Sequence, residues 1–263
     1  MKKEGTLFKS LSADYFVKNK YKKGTKDDSH TEFSCVYHLN AVYDAVHGYY
    51  TYTIGRSDIL IDDRPVKKLM DKIICEIGDS IYPVSLAVTP WMQIRDVVNY
   101  EEIRQRWTDC TKELLRKYPS YPMRRYVKMS ERNISDKEKL ISSLYKDTFF
   151  NVYFRDIYTP TEENEAMSIL WENFPKREMN QTYQYQVSPM QVGRISTSGE
   201  VMQIVPGQEG NYSMDYTLGE EVEILDITGN IESKYQDKLY AKQISVKSQN
   251  IKTGGYSAGN III

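Results

Sequence analysis

Three histidines, three cysteines and three tryptophans are all that this 263-residue chain carries of those residue types. Each scarcity excludes something. Cys35, Cys75 and Cys110 are odd in number, and no two stand at metal-clip or redox spacing, so a disulfide scaffold is excluded as an organising principle. Reduced, buried thiols in a cytoplasmic protein are expected. His30, His38 and His47 leave little room for imidazole chemistry. A glycine-rich phosphate loop, an HExxH pair, a GxSxG elbow and a GxGxxG turn are all missing from the sequence. No apolar run approaches bilayer length. The lysine-rich start resembles a signal peptide only in its charge, because Lys9 interrupts the apolar stretch after "TLF". Charge of one sign is missing too: 35 Lys and Arg stand against 36 Asp and Glu. No global field advertises a polyanionic partner.

Tyrosine is present in excess, with 22 copies against seven phenylalanines. Tyr-rich surfaces serve as adaptable binding faces. The simpler expectation is that Tyr replaces Phe at half-buried strand positions.

Along the chain, residues 1–28 read as a basic, solvated arm; up to residue 26, eight lysines face only Glu4 and Asp14. Residues 29–178 read as an α+β domain. "TEFSCVYHLNAVYDAVHGYYTYTIG" alternates at period two and predicts a hairpin, with Phe33, Cys35, Tyr37, Leu39 and Ala41 on one face. "DRPVKKLMDKIICEIG" switches to helical spacing, with Pro65 expected in its first turn and Gly78 as its cap. "SIYPVSLAV" and "MQIRDVV" predict strands, and a helix capped at Asn99 carries Ile103, Trp107, Cys110 and Leu114 as its stripe, with Trp107 as core anchor. A third helix is expected from Ser135 to Pro160, and a short fourth one from Ala166 to Phe174.

Residues 179–250 read as a β-rich antiparallel meander or part-barrel, since short strands recur between turns such as "PGQEG" and "TGN". The fold class expected is therefore α+β: an N-terminal mixed antiparallel sheet with three to four helices, then the β-rich part. Residues 251–263 form a tail, "GGYSAGNIII" closing the sequence. Its isoleucines gain by burial, either as an edge strand in cis or against a partner. Tyr256, Ile261, Ile262 and Ile263 are the candidate partner-binding residues.

Two further constellations bear on chemistry. "HTEFSCVYH" offers His30, Cys35 and His38, but Cys35 and His38 stand three apart on a strand and point to opposite faces, so no metal is expected. The basic patch Arg116, Lys117, Arg124 and Arg125 interleaves with tyrosines in a loop between two helices. Arg stems over tyrosines explain it, and nucleic acid is not expected as a partner. Among the acids, Asp58, Asp62 and Asp63 are expected at the entrance to the first helix. Asp147 is expected on a solvated helix face beside Lys146, rather than buried with a raised pKa.

No catalytic residue, cofactor or membrane contact follows from these readings. The function they favour is non-enzymatic: a cytoplasmic binding protein that recognises another protein, as an accessory, adaptor or immunity-like component. The alternative is a small-molecule or lipid-binding curved sheet or part-barrel, whose strands from Tyr183 to Val246 line a cavity.

Overall fold

The computed structural model describes residues 7–8, 10–22, 30–90 and 92–154, and the strand segments named below between residues 166 and 262; side chains are described at 10–20, 31–90 and 92–154. Alternation builds its first part. β1 (Leu7–Phe8) and β2 (Ser10–Lys22) precede β3 (His30–Asp44) and β4 (Tyr49–Ile61). Tyr15 and Val17 on β2, Cys35, Tyr37, Leu39 and Ala41 on β3, and Tyr50, Tyr52 and Ile54 on β4 are buried. The intervening Asp14, His38, Asn40 and Thr53 are exposed, as period two requires. Asp44 ends β3 and closes the hairpin: its carboxylate accepts the Val46 and His47 N–H groups at 2.9 and 3.1 Å, and Gly48 takes φ 69°.

Residues 10–22 thus belong to the sheet and not to a solvated arm. Their lysines mask an alternation of Leu11, Ala13, Tyr15 and Val17 that is enough to bury one face.

Asp62 and Asp63 form the tight turn from β4 into β5 (Arg64–Pro65), both in the left-handed region at φ 52° and 56°. They stand away from any helix start, because Asp and Asn tolerate the backbone a two-residue hairpin demands. Pro65 is accordingly a strand residue, and α1 (Leu69–Asp79) begins later, with Ile73 and Ile77 buried and Gly78 inside it. β6 (Val84–Val88) and β7 (Ile94–Val97) follow as expected. On α2 (Tyr100–Lys117), Ile103, Trp107 and Leu114 are buried, Trp107 being 7% exposed. Asn99 precedes α2 without capping it; its amide instead accepts the Ser85 N–H at 2.8 Å and donates to the Pro83 carbonyl at 3.0 Å.

The expected basic loop is largely helix. Ser120 caps α3 (Tyr121–Glu131) by accepting the Met123 N–H, and Pro122 sits in its first turn. Met123 and Val127, one turn apart, are buried and draw the segment into a helix. The expected third helix is two: α4 (Lys137–Leu144), capped by Asp136, and α5 (Thr148–Tyr153), capped by Asp147. Two capping acids, Asp136 accepting the Lys139 N–H and Asp147 the Phe149 N–H, outweigh the apolar periodicity that runs through both helices.

After α5, β8 (Ala166–Leu170) is a strand and not the expected short helix, because its five residues pair with β9 (Thr182–Val187) along their whole length. β10 (Arg194–Val201), β11 (Gly210–Leu218), β12 (Ile224–Leu225), β13 (Ile231–Ser233), β14 (Ala241–Asn250) and β15 (Tyr256–Ile262) complete the described strands. The fold is α+β, with five α-helices among the described residues where three to four were expected. β1, β12 and β13 form a small sheet. The main antiparallel sheet has twelve strands in the order β7-β6-β4-β3-β2-β15-β14-β11-β10-β9-β8, with β5 on the side of β4. β7 and β8 lie at its two ends, so it stays open.

The C-terminal segment is therefore internal to the sheet. β15 pairs with β2 on one edge and β14 on the other. Register then aligns Cys35, Val17, Ile261, Ile244, Tyr216 and Ile195 in one row across six strands. The next row of opposite parity reads Lys18, Asn260, Ser245, Asp215 and Ser196. A slip of one residue would exchange the two rows, so the pattern itself pins the register. The sheet runs continuously across the division expected near residue 179, because β15 joins β2 to β14.

Deleting residues 254–263 removes the strand between β2 and β14 and is expected to lower the melting temperature by about 5 °C or more. An unchanged melt by circular dichroism would contradict the pairing.

Candidate functional site on the open sheet face

Helices cover one face of the N-terminal sheet, and the residues that meet them form a chain of polar contacts under an aromatic cluster. Tyr15, Tyr37, Tyr50, Tyr52 and Tyr153 are buried to 1% exposure or less. Among the described residues these tyrosines serve the core more deeply than half-burial implies, while Tyr43, Tyr49, Tyr82, Tyr118, Tyr126 and Tyr145 are half-buried. A buried hydroxyl has to find an acceptor. Tyr37 donates to Asp147 Oδ2 at 2.7 Å, Tyr82 donates to the Tyr37 hydroxyl at 3.5 Å, Tyr15 to the Tyr153 hydroxyl at 3.3 Å, and Tyr100 to the Ile134 carbonyl at 3.0 Å. Asp147 also accepts the Phe149 N–H at 2.8 Å, which sets the start of α5. α5 then lays Phe149 against Tyr37, ring centroids 4.4 Å apart, and against Tyr153 at 5.2 Å.

The chain extends along the same covered face to the end of α1, since Arg56 is the cross-strand partner of Tyr37. Arg56 on β4 stands with its guanidinium 4.7 Å over the Tyr82 ring and donates to Asp79 Oδ1 from Nε at 2.9 Å and Nη2 at 2.6 Å. Asp79 is the last residue of α1, where a carboxylate opposes the negative end of the helix dipole; Arg56 offsets that. Gly78 lets the guanidinium approach, since a Cβ there would stand 3.2 Å from Arg56 Nη2.

Asp147 corrects the sequence expectation. The residue keeps some solvent contact, yet its carboxyl turns inward to Tyr37. Burial pushes its pKa above the ordinary carboxylate value, against the opposing pull of the Tyr37 donor and Arg56. Burial likewise pushes the Cys35 thiol up to about 12, so it stays protonated and unreactive.

On the opposite face of β2, β3 and β4, Asp14, Phe16, His38 and Asn40 are exposed, and here a second polar chain lies in view of solvent. Asp14 Oδ1 is 2.7 Å from His38 Nδ1, His38 Nε2 is 2.8 Å from Ser57 Oγ, and Ser57 Oγ donates to Asp58 Oδ2 at 2.7 Å. Each strand contributes by register. Asp14, His38 and Gly55 oppose one another, and Ser57 lies two residues beyond Gly55 on the same face. The register between β3 and β4 shifts at this point, and Asp58 takes φ 52°. A bulge with a left-handed residue re-aims side chains locally. Beside the chain, Phe16 is 44% exposed and opposes Val36, which opposes Ser57. Val42, 51% exposed, stands further along β3 on this face. Lys18 bridges Glu32 and Asp63, 3.3 Å from the latter. The arrangement offers a rigid, hydrogen-bonded polar row next to an apolar strip.

The residues singled out in the sequence lie elsewhere. Tyr256, Ile261 and Ile262 are in β15 with both backbone edges paired, and Ile263 lies outside the described residues. Arg116 pairs with Glu113 on the exposed face of α2 at 2.6 Å, Lys117 lies over the Tyr118 ring at 5.3 Å, and Arg124 and Arg125 are exposed on α3. These four do not converge with the open-face chain. His38 is bound to Asp14 and Ser57, and His47 to Asp44 at 2.6 Å. Among the described residues, no group of three or more metal-ligating side chains converges, and no helix is long and apolar enough to cross a membrane. Asp14, Phe16 and Ser57 escaped the sequence reading because Asp14 and Phe16 were assigned to the arm. Only strand register brings them beside His38.

Raised above its unfolded value, the Asp147 pKa makes the folded chain hold a proton that the unfolded chain releases. Its contribution to stability is therefore greatest below the ordinary value of 3.8 and is lost as pH rises from there through the folded pKa. Urea titrations of wild type and Asp147→Asn across that range are expected to show the wild type losing ground as pH rises. A difference between the two that is constant with pH would contradict a buried, proton-retaining carboxyl.

No protein-family profile and no curated protein matches this chain.

Proposed function

We propose that the chain is a recognition protein, an accessory or adaptor component, and that it meets another protein through the open face of β2, β3 and β4. One observation supports this most directly. Phe16, an exposed aromatic on β2, stands beside a polar row that spans three long strands and is already hydrogen-bonded within itself. Interfaces concentrate binding energy in a few aromatic anchors, and a prearranged polar surround limits the entropy lost on association. The strands are braced from behind by the helices and the buried tyrosines, so the surface is presented without rearrangement. Lys18, paired with Glu32 and Asp63, lies two residues from Phe16 and puts both signs of charge beside it, which suits a partner with mixed charge.

Affinity capture followed by cross-linking identifies the partner and locates the contact. Phe16→Ala and Val42→Ala change exposed side chains and are expected to leave the melting temperature nearly unchanged. Together they are expected to weaken the partner by about tenfold or more, equal to about 1.4 kcal/mol. A partner bound equally by the double variant, or cross-linked elsewhere, would remove the open face from the account.

A further inference from the structure

We propose that Ser57 is a nucleophile activated by His38 and positioned through Asp14, so that the open face carries a site for acyl transfer from carboxylic esters. This goes beyond partner recognition and does not depend on it. Recognition is tested at Phe16 and Val42, reactivity at Ser57.

The arrangement has the three links that nucleophilic catalysis by serine requires: a carboxylate hydrogen-bonded to one ring nitrogen to orient the imidazole, a hydroxyl on the other, and spacing short enough there for proton transfer from the hydroxyl. Here the distances are 2.7 Å from Asp14 Oδ1 to His38 Nδ1 and 2.8 Å from His38 Nε2 to Ser57 Oγ. The Asp14 carboxylate accepts the Nδ1 proton and thereby presents the Nε2 lone pair to the hydroxyl. Gly55 opposes His38 across the strands, and even a Cβ there would only touch the imidazole at 3.8 Å, so the ring can lie over β4 and reach Ser57. The bulge at Asp58 sets Ser57 at the end of that reach.

Asp58 adds a control. The Ser57 hydroxyl has one proton and two acceptors, His38 Nε2 and Asp58 Oδ2, the latter at 2.7 Å. With the proton on the Asp58 side, the serine idles. With it on the His38 side, the oxygen is ready to attack. In Asp58→Asn the amide donates an N–H to Oγ and leaves the hydroxyl proton for His38.

The surroundings indicate the substrate class. Phe16 and Val36 share a cross-strand row with Ser57 and lead an apolar acyl group to the hydroxyl. Asp58 stands beside the oxygen and Asp14 lies across the imidazole from it, two acids that disfavour anionic substrates. An uncharged or cationic ester with an apolar acyl chain fits both. Ser57 Oγ bonds to the carbonyl carbon as its proton passes to His38 Nε2. The tetrahedral adduct then collapses, the carbon–oxygen bond to the alcohol breaks, and the alcohol leaves with that proton. Water, deprotonated by His38, attacks the acyl-serine, releases the carboxylic acid and restores Ser57.

The test uses the full chain, an alkyl fluorophosphonate as probe with the adduct located by peptide mass spectrometry, and p-nitrophenyl butyrate as substrate. One adduct on Ser57 is expected, together with ester hydrolysis that is lost in Ser57→Ala. His38→Ala is expected to slow labelling by about 10²-fold or more. Asp14→Asn is expected to shift the pH profile of labelling, and Asp58→Asn to speed labelling, with melting temperatures kept. The proposal is overturned if neither wild type nor Asp58→Asn is labelled at Ser57, or if labelling is as fast without His38.

Discussion

The hydrogen bond from the Tyr37 hydroxyl to Asp147 is the contact on which the rest of the N-terminal half depends. Tyr37 lies at the centre of the covered sheet face, 1% exposed, and its hydroxyl has no water to turn to. Asp147 meets that need and, with its other oxygen, fixes the first turn of α5. One carboxyl therefore joins sheet to helix, at the cost of being held partly out of water. α5 owes its place to this joint: Phe149, Phe150, Val152, Tyr153 and Phe154 are all buried against the sheet. A six-residue helix has little stability of its own. Its aromatic contacts each add about 0.5–1.5 kcal/mol beyond burial, and Asp147 sets the first turn from which they are made.

Bracing one face makes the other face usable. Tyr82, Arg56 and Asp79 carry the contacts from Tyr37 to the end of α1, so β3 and β4 are tied to the helical layer at the Tyr37–Arg56 pair. The outward residues of the same strands inherit that rigidity. Asp14, His38 and Ser57 keep short distances on an open surface because the backbones that carry them are clamped from behind. Recognition and reactivity are thus two readings of one physical fact, a side-chain array held in place before anything binds. β15 extends the same sheet, joining the strands that carry the array to the β-rich part.

The period-two face of β3 and β4 is readable from the spacing of apolar residues, as are the stripe of α2 and the strand-rich character of the C-terminal part. These are patterns within one segment. β2 escaped because its lysines outweigh its alternation in any local count, and only pairing with β3 and β15 shows which parity matters. The break at Asp147 escaped for the opposite reason: apolar spacing runs through it, while a cap depends on one side chain turning back to Phe149 N–H. The tail posed a choice between cis and trans that its own isoleucines cannot make. It is made by the register rows to which Ile261 and Ile262 contribute. The open-face chain was the least legible, since its members stand on three strands and no spacing in sequence joins Asp14 to Ser57.

A double-mutant cycle on Tyr37→Phe and Asp147→Asn, read by urea denaturation, tests the joint directly. If the hydrogen bond couples sheet to helix, the double variant loses less than the sum of the single losses, with an interaction of about 1 kcal/mol or more. Single losses that add to within about 0.3–0.5 kcal/mol would mean the two residues act independently, and the central role assigned to their contact would be wrong.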